Sequence, residues 1–346
     1  AVRGMKEMYQ AAVDLDNKVT DLQIASGNAR SAVRAMVDEY AEMGKELGAT
    51  AVDVATAADT FLRQGENEAN TAKLIKDTLM LSKLGQIGTD ESSTALTSAM
   101  KGYKMGADQA ELIVDKLTAV DMEAAASAGG IAKAMAETAT SADMAGISMD
   151  RLIGYLTTIK EITQSGDEET GNFFKSTLAR MSNIKAGYLS DPETGEDLSN
   201  VEATLSGLEI KLRDSNAEFR NFGDVLDEVD EKWDTFSSVQ QRAIATALGG
   251  TRGQEKLLAL IENYDSAMEY MNVAANSAGN AAEKYNAYLD SIEAKTESFK
   301  AAFQQLSADV VNSELVKGTI GVGTGILSWI DKAVKALGSL GTASAI

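Results

Sequence analysis

One proline, Pro192, stands in a sequence of 346 residues. Proline lacks a backbone donor and is excluded from helix interiors, whereas sheets and loops are regularly punctuated by it. Ala, Leu, Met, Lys and Glu, which lose little on entering a helix, fill most of the segments between glycines. The sequence therefore predicts an all-α fold, a multi-helix bundle with short Gly-containing turns.

Apolar residues recur every three or four positions along these segments. Between residues 149 and 163, Leu152, Tyr155, Leu156 and Ile159 share one helical face, which needs a partner surface. Short helices joined by Gly-containing turns between residues 91 and 186 favour a compact bundle over a long coiled coil. Further helices are predicted over residues 5–47 (interrupted at Gly27 and Gly44), 90–103, 108–120, 224–235, 239–248, 254–271 and, long and polar-faced, 275–312.

One stretch has the alternation of a β-strand. Residues 208–212 alternate in polarity, 214–216 can turn, and 218–220 can return. The sequence predicts one small β-hairpin near residues 208–221.

Turn chemistry divides the chain. Asp191, Pro192 and Gly195 form a turn signal that puts a boundary near Ser190. Four segments are predicted, with long helices toward both ends: 1–48, an N-terminal long helical segment; 49–190, the helical bundle core; 191–272, a second helical subdomain with the hairpin; and 273–346, a C-terminal long helix and a Gly/Ala-rich apolar segment. A start without an initiator Met predicts a piece of a longer protein.

The last stretch, residues 318–346, is apolar enough to suggest contact with a membrane. Asp331, Lys332 and Lys335 interrupt it, so that no apolar run of about 20 residues exists. An amphipathic surface helix over residues 326–340 is favoured, and a partner interface and a truncated membrane span stay as alternatives.

Charge and composition restrict the function. Lys and Arg number 32 against 52 Asp and Glu, a net charge of −20 that repels a polyanion, so no specific nucleic-acid binding is expected. Without cysteine or histidine, thiolate chemistry and the commonest general base are missing. We predict that the chain is not an enzyme and has no catalytic, cofactor-binding or metal-binding residue and no cofactor.

Three motifs are candidates for ligand binding or catalysis, and each has a simpler structural explanation. The glycines of residues 318–325 lack the spacing of a nucleotide loop. Residues 191–200 resemble a calcium loop, but Glu196 stands where such a loop needs glycine, and only Glu202 matches; we interpret the segment as a solvated turn. Asp167, Glu168 and Glu169 could be acid/base carboxylates, yet the positive end of a helix dipole explains them better.

Two further groups are interpreted as core. Trp233, with Val229 and Phe236 on its face, is expected to anchor a core rather than to stack on a ligand. Core filling is also favoured over an adaptable binding surface for a group of methionines, namely Met100, Met105, Met122, Met135, Met144 and Met149.

Several stretches, in this order, resemble the core region of tail tape measure proteins of long-tailed phages over about residues 50–270. They begin with Ala128-Gly129-Gly130-Ile131, Ala145-Gly146-Ile147-Ser148 and Ser165-Gly166-Asp167-Glu168-Glu169-Thr170-Gly171, and continue through residues 208–220, 224–233 and 245–260. The sequence departs from the family at Asn216-Ala217, where the family often has glycine in the hairpin turn.

The resemblance implies a structural virion protein inside the tail, assembled in the host cytoplasm. It implies roles as scaffold and ruler in tail assembly, in tail-length determination and in genome ejection. The implied partners are tail tube, tail tip and assembly chaperone proteins, in a homo-oligomer of few copies. One helix of 346 residues would reach about 520 Å, so the glycine breaks place most of the ruler in other parts of the parent chain.

Two rivals stay open. A secreted or surface helical interaction protein, such as a delivery-system or signalling rod, should show sustained heptads or a signal segment, and neither is visible. A separate wall-degrading domain, the second rival, would need an acid pair that is not recognisable here.

Overall fold

The computed structural model describes residues 2–185, 199–216 and 218–312. Within these ranges it contains fifteen α-helices, two 3₁₀ helices (Ala107–Gln109 and Trp233–Thr235) and no strand, which confirms the predicted all-α fold. The α-helices are α1 (Val2–Ser26), α2 (Arg30–Glu46), α3 (Ala51–Arg63), α4 (Glu68–Leu84), α5 (Thr89–Gly102), α6 (Ala110–Asp121), α7 (Ala128–Met144), α8 (Met149–Thr163), α9 (Asp167–Lys185), α10 (Ser199–Ser206), α11 (Phe222–Lys232), α12 (Ser238–Glu262), α13 (Tyr264–Ala275), α14 (Asn280–Leu289) and α15 (Ile292–Asn312).

The described helices form two compact units. Unit 1 takes the residues up to Ile75 and those from Ala287 onward, and unit 2 takes Lys76–Asn286. Compact packing units and independently folding segments are different properties, so the four segments predicted above stay a prediction. The predicted boundary near Ser190, the turn at 191–198 and the apolar segment 318–346 with its helix 326–340 lie outside the described residues.

Unit 1 packs four helices, α1, α2, α3 and α15, around a core of small aliphatic side chains. Val33, Val54 and Ala301 are fully buried there, and the rings of Phe61 and Tyr40 are 1% and 7% exposed. The break between α1 and α2 falls at Gly27, as predicted, where φ is +69°. The interruption predicted at Gly44 is wrong, because Gly44 stays within α2 and lets the following turn fold back to within 2.8 Å of its Cβ position.

The single long helix predicted over residues 275–312 is also wrong. The chain breaks after α13 and again before α15. Asp115 of α6 accepts hydrogen bonds of 2.8 Å from the backbone nitrogens of both Gly279 and Ala281, and so caps the start of α14. This break depends on a residue more than 160 positions earlier in the chain, which local periodicity does not contain.

Helix α8 lies at the centre of unit 2 and contacts α6, α7, α9, α12 and α13. The predicted face of Leu152, Tyr155, Leu156 and Ile159 is completely buried. The opposite face is buried as well over most of the helix, since Gly154 and Thr157 are buried there and the flanking Lys160, paired with Asp167, is only 9% exposed. Helix α8 therefore packs against neighbouring helices on several sides.

A single antiparallel bridge, Arg213 with Phe219, stands where the hairpin was predicted. The Asp214 nitrogen donates to the Glu218 carbonyl at 2.8 Å, and the Arg220 nitrogen to the Leu212 carbonyl at 3.0 Å. The pairing therefore has the predicted place but less than the predicted length. The first predicted strand is lost because residues 208–210 form a turn that satisfies the last carbonyls of α10.

A buried carboxyl group in α4 predicts that the stability of unit 2 depends on pH. Asp77 is 4% exposed and accepts no hydrogen bond from the described residues. Burial raises the pKa of Asp77 from 3.8 to about 7; the carboxylates of Glu111 and Asp115 add to this and Lys76 opposes it. The folded state therefore keeps a proton that the unfolded chain releases above pH 3.8. Stability is then lost as pH rises from about 4 to about 7.

We expect Asp77→Asn to remove this loss. Between pH 5 and pH 8, urea unfolding should show the parent losing about 2 kcal/mol more stability than the variant. Asp90→Asn, at an exposed position of α5, serves as the control and should follow the parent. Parallel pH profiles for the parent and Asp77→Asn would contradict the prediction.

Candidate interaction surface

The structure places the candidate residues of the sequence as follows. Asp167, Glu168 and Glu169 occupy the first turn of α9, where the helix-dipole interpretation puts them. Asp167 pairs with Lys160, and Glu169 pairs with Lys256 at 2.7 Å. The hydrogen bond from Lys256 lowers the pKa of Glu169, so this carboxylate is held in its charged form rather than prepared to carry a proton.

The six methionines bear out the core interpretation only in part. Met100, Met135 and Met149 are buried, Met105 is half-buried, and Met122 and Met144 are 59% and 80% exposed. Met122 is the C-cap residue of α6 and Met144 is the last residue of α7, so both exposed methionines lie at helix ends.

Trp233 is the anchor that the sequence predicted. It is 8% exposed beside the fully buried Val229. Its carbonyl oxygen accepts a 3.0 Å hydrogen bond from the Gln241 side chain of α12.

A hydrogen-bonded chain fixes α11 on α8 and α13. Nη2 of Arg151 donates to both carboxylate oxygens of Asp227 at 3.1 and 2.9 Å. The Tyr264 hydroxyl donates to Asp227 at 2.7 Å and lies 2.9 Å from the Tyr155 hydroxyl. Burial raises the pKa of both tyrosines, which keeps them protonated and able to donate. We call these four residues the α11 clip.

A concave surface lies where α9 and α10 meet α12; we call it the α9–α12 groove. It has two cavities on either side of a kink in α12. One, of about 760 Å³, is lined by Arg180, Val201, Thr204, Ser238, Val239, Arg242, Ala243, Thr246, Ala247 and Thr251. The other, of about 440 Å³, is lined by Glu169, Asn172, Phe173, Ser176, Arg180, Gly249, Thr251, Arg252, Gly253 and Lys256.

The kink explains the glycines of the Gly249-Gly250-Thr251-Arg252-Gly253 segment. Gly250 has φ +70° and ψ 171°, which are not helical values. The Arg180 guanidinium occupies the space of a side chain at this position, with Nη2 only 2.3 Å from where a Cβ would stand. Gly253 makes the same room for the ring of Phe173. The kink at Gly250 lies between the two helices predicted over 239–248 and 254–271. The second of these helices is interrupted at Asn263, which separates α12 from α13.

The groove concentrates positive charge in a chain of net charge −20. Arg180, Arg242, Arg252 and Lys256 line it, and among the described lining residues Glu169 is the one carboxylate. Sequence reasoning missed these cations. A signal was present, because residues 235–254 contain no Asp or Glu while carboxylates are interspersed elsewhere.

A second surface has the opposite charge, and part of it directly precedes the groove residues in the sequence. Asp230, Glu231, Asp234 and Asp265 form what we call the α11–α13 acidic patch. Burial raises the pKa of Asp230, and the nearby carboxylates Asp265, Asp227, Asp234 and Glu231 add to the effect. The ion pairs of this region join other residues, such as Glu228 with Arg220 and Lys232. The patch therefore carries negative charge that ion pairs within the described residues leave uncompensated.

In the described ranges no group of three or more Asp and Glu side chains is arranged to hold a metal ion. Within the same residues, no helix combines the length and the apolar character that crossing a bilayer requires.

Comparison with known proteins adds one finding on the family. A family model described as "Phage-related minor tail protein" matches residues 37–250, more than half of the chain. The match includes α8, the α11 clip up to Asp227 and the α12 kink at Gly250. No solved structure matches the chain. The chain is therefore a member of the phage-related minor tail protein family.

Proposed function

We propose that this phage tail protein is a segment of a tape measure protein, acting in tail assembly, tail-length determination and genome ejection. The observation that carries the proposal is the family match over residues 37–250. Within it, or directly after it, lie the glycine-containing stretches in which the sequence resembles tape measure cores. The proposed place is inside the tail, after assembly in the host cytoplasm, with tube, tip and chaperone proteins as partners.

The physical properties of the chain suit that place. A net charge of −20 repels DNA, so the genome can pass without adhering to this protein. Small residues at helix crossings, such as Gly154 of α8 beside Ala267 of α13, let helices pack closely in little width. We propose a structural role without catalysis.

The proposal predicts a tail-length phenotype. An early stop codon in the parent gene should yield heads without tails in electron micrographs, and the intact gene should restore tails. An in-frame deletion of Lys76–Asn286 should give shorter tails if this unit contributes to the ruler. The shortening would reach about 320 Å only if the unit spans the tail as one continuous helix, and less if it stays folded.

The stop codon tests the role in tail assembly, and the in-frame deletion tests the role of this segment in setting tail length. Tails of normal length from the deletion, with tail-less particles from the stop codon, would remove the ruler from this segment and leave the minor tail role. Normally tailed particles from the stop codon would overturn the tail-assembly role itself.

A further inference from the structure

We propose that helix α15 is a releasable strap, which tension between the two ends of the chain detaches from α1, α2 and α3, so that unit 1 opens while unit 2 stays folded. The device goes beyond the proposed function, because it is a property of the isolated chain whether or not the segment sets tail length.

The order of the helices along the chain makes α15 the closing element of unit 1. Two parts of the chain form this unit, up to Ile75 and from Ala287 onward, and the whole of unit 2 is inserted between them. Helix α15 contacts each of α1, α2 and α3. All three helices therefore lose part of their cover when α15 leaves.

The described part of α15 contributes little apolar packing. Between residues 292 and 307 its buried side chains are the small Ala294, Ala301 and Ser307, and the larger Phe303 and Leu306 are only half-buried. The free energy of burial grows with the apolar area that is removed from water. Helix α15 is therefore held less firmly than a helix such as α8, which buries leucine, isoleucine and tyrosine side chains.

Hydrogen bonds attach α15 to the turn between α2 and α3. The Ser298 hydroxyl donates to the Lys45 carbonyl at 2.8 Å, and the backbone nitrogen of Ala51 donates to the Gln304 side chain at 3.0 Å. The Lys45 ammonium donates to the Gln305 side chain at 2.8 Å. The first two bonds satisfy backbone groups at a helix end and a helix start, where the helix itself offers no partner. All three are partly buried, so water replaces them when α15 leaves, and each contributes modestly.

The core of unit 2 contains large rings in contact. The Tyr155 ring centroid lies 5.6 Å from that of Phe174, which lies 6.1 Å from that of Phe222. These rings join α8, α9 and α11. Aromatic pairs of this kind add to the stabilisation from buried area, so we expect unit 2 to hold at a tension that opens unit 1.

The path of the chain determines which unit carries tension first. Helices α1 and α15 contact each other directly, and both connections to unit 2 begin in unit 1. A force that separates α1 from α15 therefore acts across the contacts of unit 1, and Lys76–Asn286 carries no tension until α15 has detached. Opening of unit 1 lengthens the protein before unit 2 is loaded.

Optical tweezers on the 346-residue chain test the order of opening. The chain contains no cysteine, so Gln10→Cys and Lys300→Cys, at exposed positions of α1 and α15, provide two specific attachment points. We expect a first event at low force that lengthens the chain by up to about 290 Å, and a second at higher force, of up to about 760 Å, from unit 2.

A second pair of attachment points is the matched control. Lys101→Cys with Glu262→Cys, both at exposed positions of unit 2, loads that unit directly and should not show the short event at low force. A single event between positions 10 and 300, or loss of unit 2 before unit 1, would overturn the inference.

Hydrogen exchange tests the strap without applied force. In a variant that carries Ser298→Ala and Gln304→Ala, the backbone amides of α3 should exchange about tenfold faster than in the parent, while those of α8 stay unchanged. Thr296→Ala is the control, because the exposed Thr296 hydroxyl donates to the Ile292 carbonyl of its own helix at 2.7 Å; it should exchange like the parent. Equal exchange of α3 in the double variant and the parent, or equal acceleration in α3 and α8, would contradict a strap that opens unit 1 alone.

Discussion

Gly154→Ala is expected to destabilise unit 2 by about 3 kcal/mol. A Cβ at this position of α8 would stand 2.2 Å from the carbonyl oxygen of Ala267 and 3.1 Å from the nitrogen of Met271, both in α13. Since these are backbone atoms, only a separation of α8 from α13 relieves the clash. The better helix propensity of alanine, about 1 kcal/mol over glycine, offsets only part of this cost.

Urea unfolding followed by circular dichroism measures the effect as a lower midpoint for unit 2. Gly166→Ala is the matched control, because a Cβ there meets nothing nearer than the Glu169 Cβ at 3.8 Å; its effect should stay within about 0.5 kcal/mol. Equal midpoints for the two variants would show that α8 and α13 can move apart without loss.

Gly154 also marks where sequence reasoning reached its limit. The spacing of Leu152, Tyr155, Leu156 and Ile159 identified a buried face correctly, because local periodicity reports one face of a helix. Burial of the opposite face was not predictable, since Thr157, Thr158 and Lys160 look like a solvated side. Their burial follows from helices that arrive from distant parts of the sequence.

The candidate surface shows the same limit more clearly. Arg180 of α9 and Arg242 of α12 are more than 60 residues apart in the sequence, so composition alone could not place them in one groove. Glycine at position 250 was visible, but a glycine is compatible with a helix interior, a turn or a kink. At Gly250 the Arg180 guanidinium packs against the kinked backbone. This is a tertiary contact, so the local sequence does not reveal it.

Arg151→Met is expected to weaken the attachment of α11 and to destabilise unit 2 by about 2 kcal/mol, since Asp227 loses its cation but is 38% exposed and keeps some hydration. The Arg151 side chain is 18% exposed and provides both hydrogen bonds from a cation to Asp227. Without it, the Asp227 carboxylate keeps Tyr264 as its hydrogen-bond donor in the α11 clip. A carboxylate at this interface is then poorly compensated, and α11 should open more often than the rest of the unit.

Hydrogen exchange of the backbone amides in Phe222–Lys232 measures this opening directly, and should become faster in the variant than exchange in α8. Arg63→Met is the control, because the Arg63 side chain is 47% exposed and pairs with Asp59 within one helix, where water screens the ion pair. Equal changes in the two variants would show that the clip contributes no more than a surface ion pair.

A second substitution separates charge from packing in the clip. If the loss comes from the isolated carboxylate, adding Asp227→Asn to Arg151→Met should recover part of the stability, because the amide leaves no charge at the interface. Arg151 also packs on Gly223, with Nη1 only 2.2 Å from where a Cβ would stand. If the double variant is no more stable than Arg151→Met, the lost contact with Gly223 carries the effect, and α11 is held mainly by shape rather than by charge.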